Sequence, residues 1–152
     1  MSTTVEARRI EPAERQRQLS PDECQAWLIR HHEGRLGYLT GRGPRRLAVR
    51  YATSGDDILF RLSDYNDAVH YAPEEQVSLV VDGRSSTGGF KTVTVVGTAM
   101  LGGEDATSEA DDVQLDEPWP PGVVTTVIRL PITNVSGVVT VSTAAADQAA
   151  RS

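Results

Sequence analysis

Between Pro44 and Asp67 the chain reads PRRLAVRYATSGDDILFRLSDYND, two alternating stretches on either side of a turn. Leu47, Val49 and Tyr51 alternate with Ala48 and Arg50, Ser54-Gly55-Asp56 reverses the chain, and Ile58, Phe60 and Leu62 then alternate with Leu59, Arg61 and Ser63. A period of two sends successive side chains to opposite faces of a strand, so the stretch predicts a β-hairpin. One of its faces is apolar; the other is small, cationic and hydroxylic. Guanidinium and hydroxyl groups are the donors that phosphate or carboxylate oxygens need, which makes Arg50, Arg61 and Ser63 candidates for an anion site. The same pattern also describes the solvated outer face of an antiparallel sheet.

The remainder of the chain continues in the same style. Arg35–Thr40 predicts a strand before the hairpin. Gln76–Asp82 alternates Val77, Leu79 and Val81, and Phe90–Leu101 sets Val93, Val95 and Ala99 against Thr92, Thr94 and Thr98. Val123–Leu130 and Ile132–Val141 complete the set around Pro131. Valine and threonine are abundant from Val77 onward, as strands prefer. Helical signals are few. Ser20 fits an N-cap, Pro21 the first helical position and Glu23 the return arm of a capping box, with Cys24, Trp27 and Leu28 on one face and Gly34 as the stop. A second, short helix fits Asp64–Ala72, ended by Pro73. With no βαβ rhythm, the pattern predicts a mainly β domain: a small antiparallel barrel of six to seven strands with one capped N-terminal helix and short connecting helices.

A chain of 152 residues is the length of one domain with one real core. Residues 1–18 are polar and aperiodic and read as a flexible arm, residues 19–141 as the barrel, and residues 142–152 as a tail. Gly102–Glu117 carries seven acids and reads as an exposed loop, followed by a stiff turn in which Trp119 either plugs a barrel end or lies over a ligand. The net charge of −6 argues against a general nucleic-acid binder. No apolar run approaches the length of a membrane span and the N-terminus has no hydrophobic signal core, so a soluble, cytoplasmic protein is expected. Cys24 is the only cysteine, which leaves no internal disulfide and no multi-cysteine metal site. His31 and His32 are adjacent on a helix end and point apart, so they read as solvated cations rather than a ligand pair. No nucleophile elbow, HExxH or phosphate-binding glycine loop is present, and no catalytic residue is assigned.

The run Gly34-Arg35-Leu36-Gly37-Tyr38, continued by Pro44–Tyr51, Gly55, Ile58-Leu59-Phe60-Arg61 and Ser63, resembles the small actinobacterial members of the pyridoxamine phosphate oxidase-like family. Weaker similarity extends through Val93–Ala99, Pro118-Trp119 to Gly122, and Val127-Ile128-Arg129 to Gly137, covering roughly Leu19 to Val141. That family comprises flavin-binding split barrels. The resemblance implies a homodimer with FMN in a groove between subunits, and relatives that use a deazaflavin or bind haem. It places Arg61 and Ser63 in the phosphate-gripping segment, and Leu47–Tyr51, centred on Val49, in the strand whose backbone runs beside the isoalloxazine ring.

The chain also departs from the family pattern. Leu62 stands for a threonine, and Asn66 and Asp67 for a serine-lysine pair. An acid in the lysine position sets a repulsion beside the phosphate. Ala48 replaces a proline, and Gly88-Gly89-Phe90-Lys91 replaces an aromatic-rich turn. Arg50 and Lys91 are then the cations available to take over the phosphate, with Trp119 over the cofactor.

Two readings follow. One is a flavin-dependent oxidoreductase, using FMN or a deazaflavin and acting on a small molecule. The other is a barrel without flavin that binds or transforms a small biosynthetic intermediate without redox chemistry, for which Tyr38, Tyr51, Tyr65 and His70 are the candidate polar groups. Haem binding through a histidine is a third.

Overall fold

The computed structural model describes residues 14–86, 88–103 and 122–142. Among the described residues, nine strands and two helices follow in the order β1 (Glu14–Gln18), α1 (Pro21–Arg30), β2 (Glu33–Thr40), β3 (Gly43–Ser54), β4 (Asp57–Ser63), α2 (Ala68–Tyr71), β5 (Gln76–Arg84), β6 (Phe90–Thr98), β7 (Met100–Leu101), β8 (Thr125–Pro131) and β9 (Val135–Ser142). All pairings are antiparallel, in the spatial order β1-β9-β6-β5-β2-β3-β4-β8-β7.

Two features curl this sheet into a split barrel. The first is Ala99, which separates β6 from β7. Its N–H donates to Glu75 O and its C=O accepts from Glu74 N–H, so the chain leaves β5 there, and Met100 and Leu101 pair with Arg129 and Ile128 of β8. The second is the length of β3. Gly43–Arg50 pairs with β2, whereas Tyr51–Ser54 pairs with β4, so one strand belongs to both halves of the barrel. Gly55, at φ +59, makes the tight turn between β3 and β4 that a residue with a Cβ adopts only with strain.

The core follows the alternation of the sequence in β3 to β6, except that Leu47 is only partly buried and Leu59, of the opposite parity, is buried in a second small cluster with Ala52 and Val127. Leu36 and Tyr38 of β2, Val49 and Tyr51 of β3, Ile58, Phe60 and Leu62 of β4, Val77, Leu79 and Val81 of β5, and Val93 and Val95 of β6 pack with Ile128 and Leu130 of β8. Each such side chain contributes roughly 1.5–3 kcal/mol by leaving water.

Helix α1 closes one side. Ser20 Oγ accepts from Glu23 N–H while Glu23 Oε1 accepts from Ser20 N–H, with Pro21 in the first turn, as the capping box requires. Its buried face is Cys24, Trp27 and Leu28. Trp27 Nε1 donates to Val81 O at 3.0 Å, and Tyr51 Oη donates to Leu28 O at 2.7 Å. The close approach to β9 needs Gly137, where a Cβ would lie 2.8 Å from Cys24 Sγ and 2.9 Å from Leu19 Cδ1.

Three expectations are corrected. Nine strands replace six to seven, because β7 is split from β6 at Ala99 and because β1 forms within the segment expected to be a flexible arm. β1 is wholly polar, and it is extended because β9 offers it a free edge, Arg15 facing Val141 and Arg17 facing Val139. Nor does Gly34 stop α1. The helix ends at Arg30 with His31 extended, and Gly34 is already a residue of β2 opposite Val49. The acidic loop, Trp119 and the tail beyond Ser142 lie outside the described residues. Among the described residues no helix is long and apolar enough to cross a membrane.

Candidate functional site

The last β3–β4 pair is Tyr51↔Phe60. One step further Arg50 and Arg61 would face each other, but β3 has by then turned to β2, with Arg50 opposite Glu33, while β4 stays with β8, with Arg61 opposite Val127. The strands part, and the gap between them opens a cavity of about 570 Å³. Leu47 to Arg50 line one wall and Arg61 to Ser63, with Asn66, the other. Glu33, Gly34, Arg35 and Asp82 form the remaining rim, where Arg35 and Asp82 are ion-paired.

The parity of the strands decides what each wall presents. Phe60 and Leu62 point into the core, so Arg61 and Ser63 point out into the gap. In the part of β3 beside the gap, Val49 and Tyr51 point into the core, which leaves Ala48 and Arg50, both exposed, on the outer face; Ala52, of the same parity, is buried against Leu59 and Val127. Tyr51 N–H donates to His32 O at 2.8 Å, on the β2 side. By the alternation of an antiparallel ladder, the backbone N–H and C=O of Ala48 and Arg50 are turned the other way, toward β4 and the gap. The cavity thus combines a strand edge, an apolar stretch, two guanidinium groups and a hydroxyl. Ser63 Oγ accepts from Tyr65 N–H at 3.2 Å, so its own proton is left to donate.

Four of the six residues singled out in the sequence meet here: Arg50, Arg61, Ser63 and Val49. Val49 takes part only beside its backbone, since its side chain is buried in the core. Lys91 does not join them. It has the same parity in β6 as Val93 and Val95, so it faces the side covered by α1, and its Nζ lies 5.4 Å from the Trp27 ring centroid. Trp119 lies outside the described residues.

The sequence departures also find their places. Leu62 is a core side chain with 6% exposure. Asn66, which the sequence marks only as the loss of a serine, lines the cavity. Asp67, expected to repel a phosphate, does not line the cavity; its carboxylate accepts from Tyr38 Oη at 2.5 Å and pairs with Arg45 at 3.2 Å. Burial first, and then the Asp67 bond, push the Tyr38 phenol up to about 12. Tyr51 is a structural residue, its phenol also raised by burial. Tyr65 is 90% exposed and His70 exposed, and neither lines the cavity. The His31 ring stacks on Trp27 at 3.9 Å between centroids, its Nδ1 2.8 Å from Trp27 O, which occupies it away from the gap.

An antiparallel barrel parted along one strand pair, with Arg50, Arg61 and Ser63 at the parting, defines a split-barrel protein. The profile of the pyridoxamine 5'-phosphate oxidase family matches residues 20–139, and the chain belongs to that family. Among solved structures, a FAD binding protein from Mycobacterium smegmatis superposes with a TM-score of 0.69 at 22% identity, over 80% of this chain and 95% of that one. A FAD-binding protein from Mesorhizobium loti gives 0.64 at 22% identity, over 84% and 98%. A FAD and heme binding protein from Mycobacterium smegmatis gives 0.61 at 16% identity, over 79% and 71%. At these identities the likeness is one of fold. No curated protein matches the chain.

Proposed function

We propose that the cleft between β3 and β4 binds a flavin and that the protein is a flavin-dependent oxidoreductase acting on a small molecule. The observation that carries this reading is the pairing of an anion end with an apolar, edge-lined end in one cavity of about 570 Å³, within the range of roughly 300–1,000 Å³ usual for ligand sites. The donor set fits the group: Arg61, Arg50 and Ser63 supply donors for a phosphate, and the outward backbone of Ala48 and Arg50 supplies donors and acceptors for the rim of a flat heterocycle. Bound there, a flavin supplies hydride or electron transfer, while the chain orients it, grips its phosphate and keeps water from its face. The names carried by the structural relatives, two of them FAD-binding and one binding FAD and heme, support a flavin. FMN is the form that the compact anion end favours, with FAD and a deazaflavin as competitors.

The same reading includes a homodimer. The outer face of β2, β5 and β6 carries Gly37, Ser78, Val80, Thr94 and Val96, side chains small enough for two sheets to approach closely. Arg35, on this face, also lines the cleft, so a second copy seated there lies beside the cavity mouth.

The test is an absorbance spectrum of the purified protein, followed by titration with FMN, FAD and a deazaflavin while flavin fluorescence is followed. A yellow protein, or saturable quenching by one of the three, is the expected result. A colourless protein indifferent to all of them overturns the reading in favour of a non-redox small-molecule binder.

A further inference from the structure

We propose that Tyr38, Arg45 and Asp67 form a positioning clamp for the anion end of the cleft, holding the turn from Ser63 to Asn66 so that Asn66 offers its amide protons to the ligand. The proposal rests on the flavin-phosphate reading above and assigns roles that charge alone would reverse.

The turn is short of acceptors facing the cavity. Asn66 N–H donates to Ser63 O at 2.9 Å and Asn66 O accepts from Val69 N–H at 3.1 Å, so its backbone is closed within the loop. Asn66 Oδ1 accepts from Ala68 N–H at 3.1 Å. What this side chain has left for the cavity it lines is the pair of Nδ2 protons. Ser63 is in the same condition, its oxygen taken by Tyr65 N–H. Arg50 and Arg61, whose side chains only donate, line the same cavity, and of its two carboxylates, Glu33 and Asp82, the latter is paired with Arg35, so the Ser63–Asn66 wall is the part suited to an acceptor-only oxyanion.

Asp67 is the acid next to Asn66, and two contacts hold its carboxylate away from the cavity. It is the N-cap of α2, yet its side chain caps nothing there. One carboxylate oxygen accepts from Tyr38 Oη on β2 and the other pairs with Arg45 on β3. Tyr38 is only 5% exposed, so this one of the two anchors is on the barrel wall, whereas Arg45 is a half-exposed side chain. Through Asp67 the turn is tied to both strands of the neighbouring hairpin, and the carboxylate is neutralised away from the cavity.

The decisive variant is Asp67→Lys. A charge-only account has it strengthen phosphate binding; the clamp has it cut FMN affinity by about tenfold or more, since the Asn66 end of the turn loses both side-chain anchors and only the Asp64 end, bonded to Val124 O and Thr126 Oγ1, stays tied. Riboflavin, which lacks the phosphate, serves as the control, together with inorganic phosphate as a flavin-free probe. Asp67→Asn, which keeps an acceptor for Tyr38, is expected to recover much of the loss. Tyr38→Phe is expected to weaken FMN several-fold and to leave riboflavin alone; it carries the test if the lysine variant does not fold. Tighter FMN binding by Asp67→Lys, or FMN binding by Tyr38→Phe equal to wild type, overturns the clamp. The two readings fail separately. Wild-type protein that takes phosphate, weakened by Tyr38→Phe, but no flavin overturns the flavin reading and leaves the clamp standing. Wild-type protein that takes FMN no better than riboflavin overturns the clamp and leaves flavin binding standing. Binding of neither flavin nor phosphate overturns both.

Discussion

Arg61 faces the cleft because Phe60 and Leu62, one residue to either side, are committed to the core. A side chain held by its strand in this way loses little freedom when it meets an anion, and a hydrogen bond to a charged group contributes about 1.5–3 kcal/mol. Arg61→Ala is therefore expected to weaken FMN by roughly 10- to 100-fold, while Lys91→Ala, over Trp27 and away from the cleft, leaves affinity unchanged. Fluorescence titration of both variants checks the pair; a loss at Lys91 equal to that at Arg61 contradicts the assignment. The side of the sheet that Lys91 takes is legible in the sequence, since it shares its parity with Val93 and Val95, residues that alternation marks as core. What the sequence does not show is the role of Asp67. Its effect depends on Tyr38 and Arg45, 29 and 22 residues away along the chain, and only the β2–β3 hairpin brings those two together.

Among the elements, α1 is the most legible, because its signals are local. The Ser20–Glu23 capping box and the Cys24, Trp27 and Leu28 stripe are both readable within ten residues. Its coupling to β1 is not. Arg17 reaches Glu23 through both terminal nitrogens at 3.0 Å, which joins the edge strand to the helix start. That bond, with the backbone bond at Ser20, lowers the Glu23 carboxyl from 4.5 to about 2. A depressed carboxyl pKa stabilises the fold above the unfolded value and ceases to do so as pH falls through the folded one. Glu23→Gln is thus expected to melt below wild type at pH 7, and the gap to close as pH falls from 4.5 toward 2. Thermal melts of the two proteins across that window decide it; a gap constant with pH would mean that the ion pair contributes nothing. The strand pattern itself is legible from alternation, whereas the parting of β3 from β4 is not. The sequence alternates without interruption through Arg50, and the change of partner at that residue is made by β2.

For the molecule as a whole, the question is what covers the outer face of β2, β5 and β6. Gly37 is part of this face because a Cβ there would lie 2.7 Å from Ser78 Oγ, so the sheet surface is low where β2 and β5 meet. Arg35 and Arg46 flank the depression and Leu39, at its end, is 67% exposed. A flat face of small residues buries little on its own, but against a second copy it can supply the roughly 800 Å² per partner of a stable interface. Because Arg35 belongs both to this face and to the cleft rim, dimerisation and ligand binding are expected to be linked. Val80→Arg sets a bulky charge on the face while leaving every residue named at the anion end in place. It is expected to sediment as a monomer where wild type sediments as a dimer, and to bind FMN more weakly. Wild-type unfolding should also shift to higher temperature with protein concentration and with added FMN, by mass action. A wild type that sediments as a monomer with FMN bound would separate the two functions and leave the cleft complete within one chain.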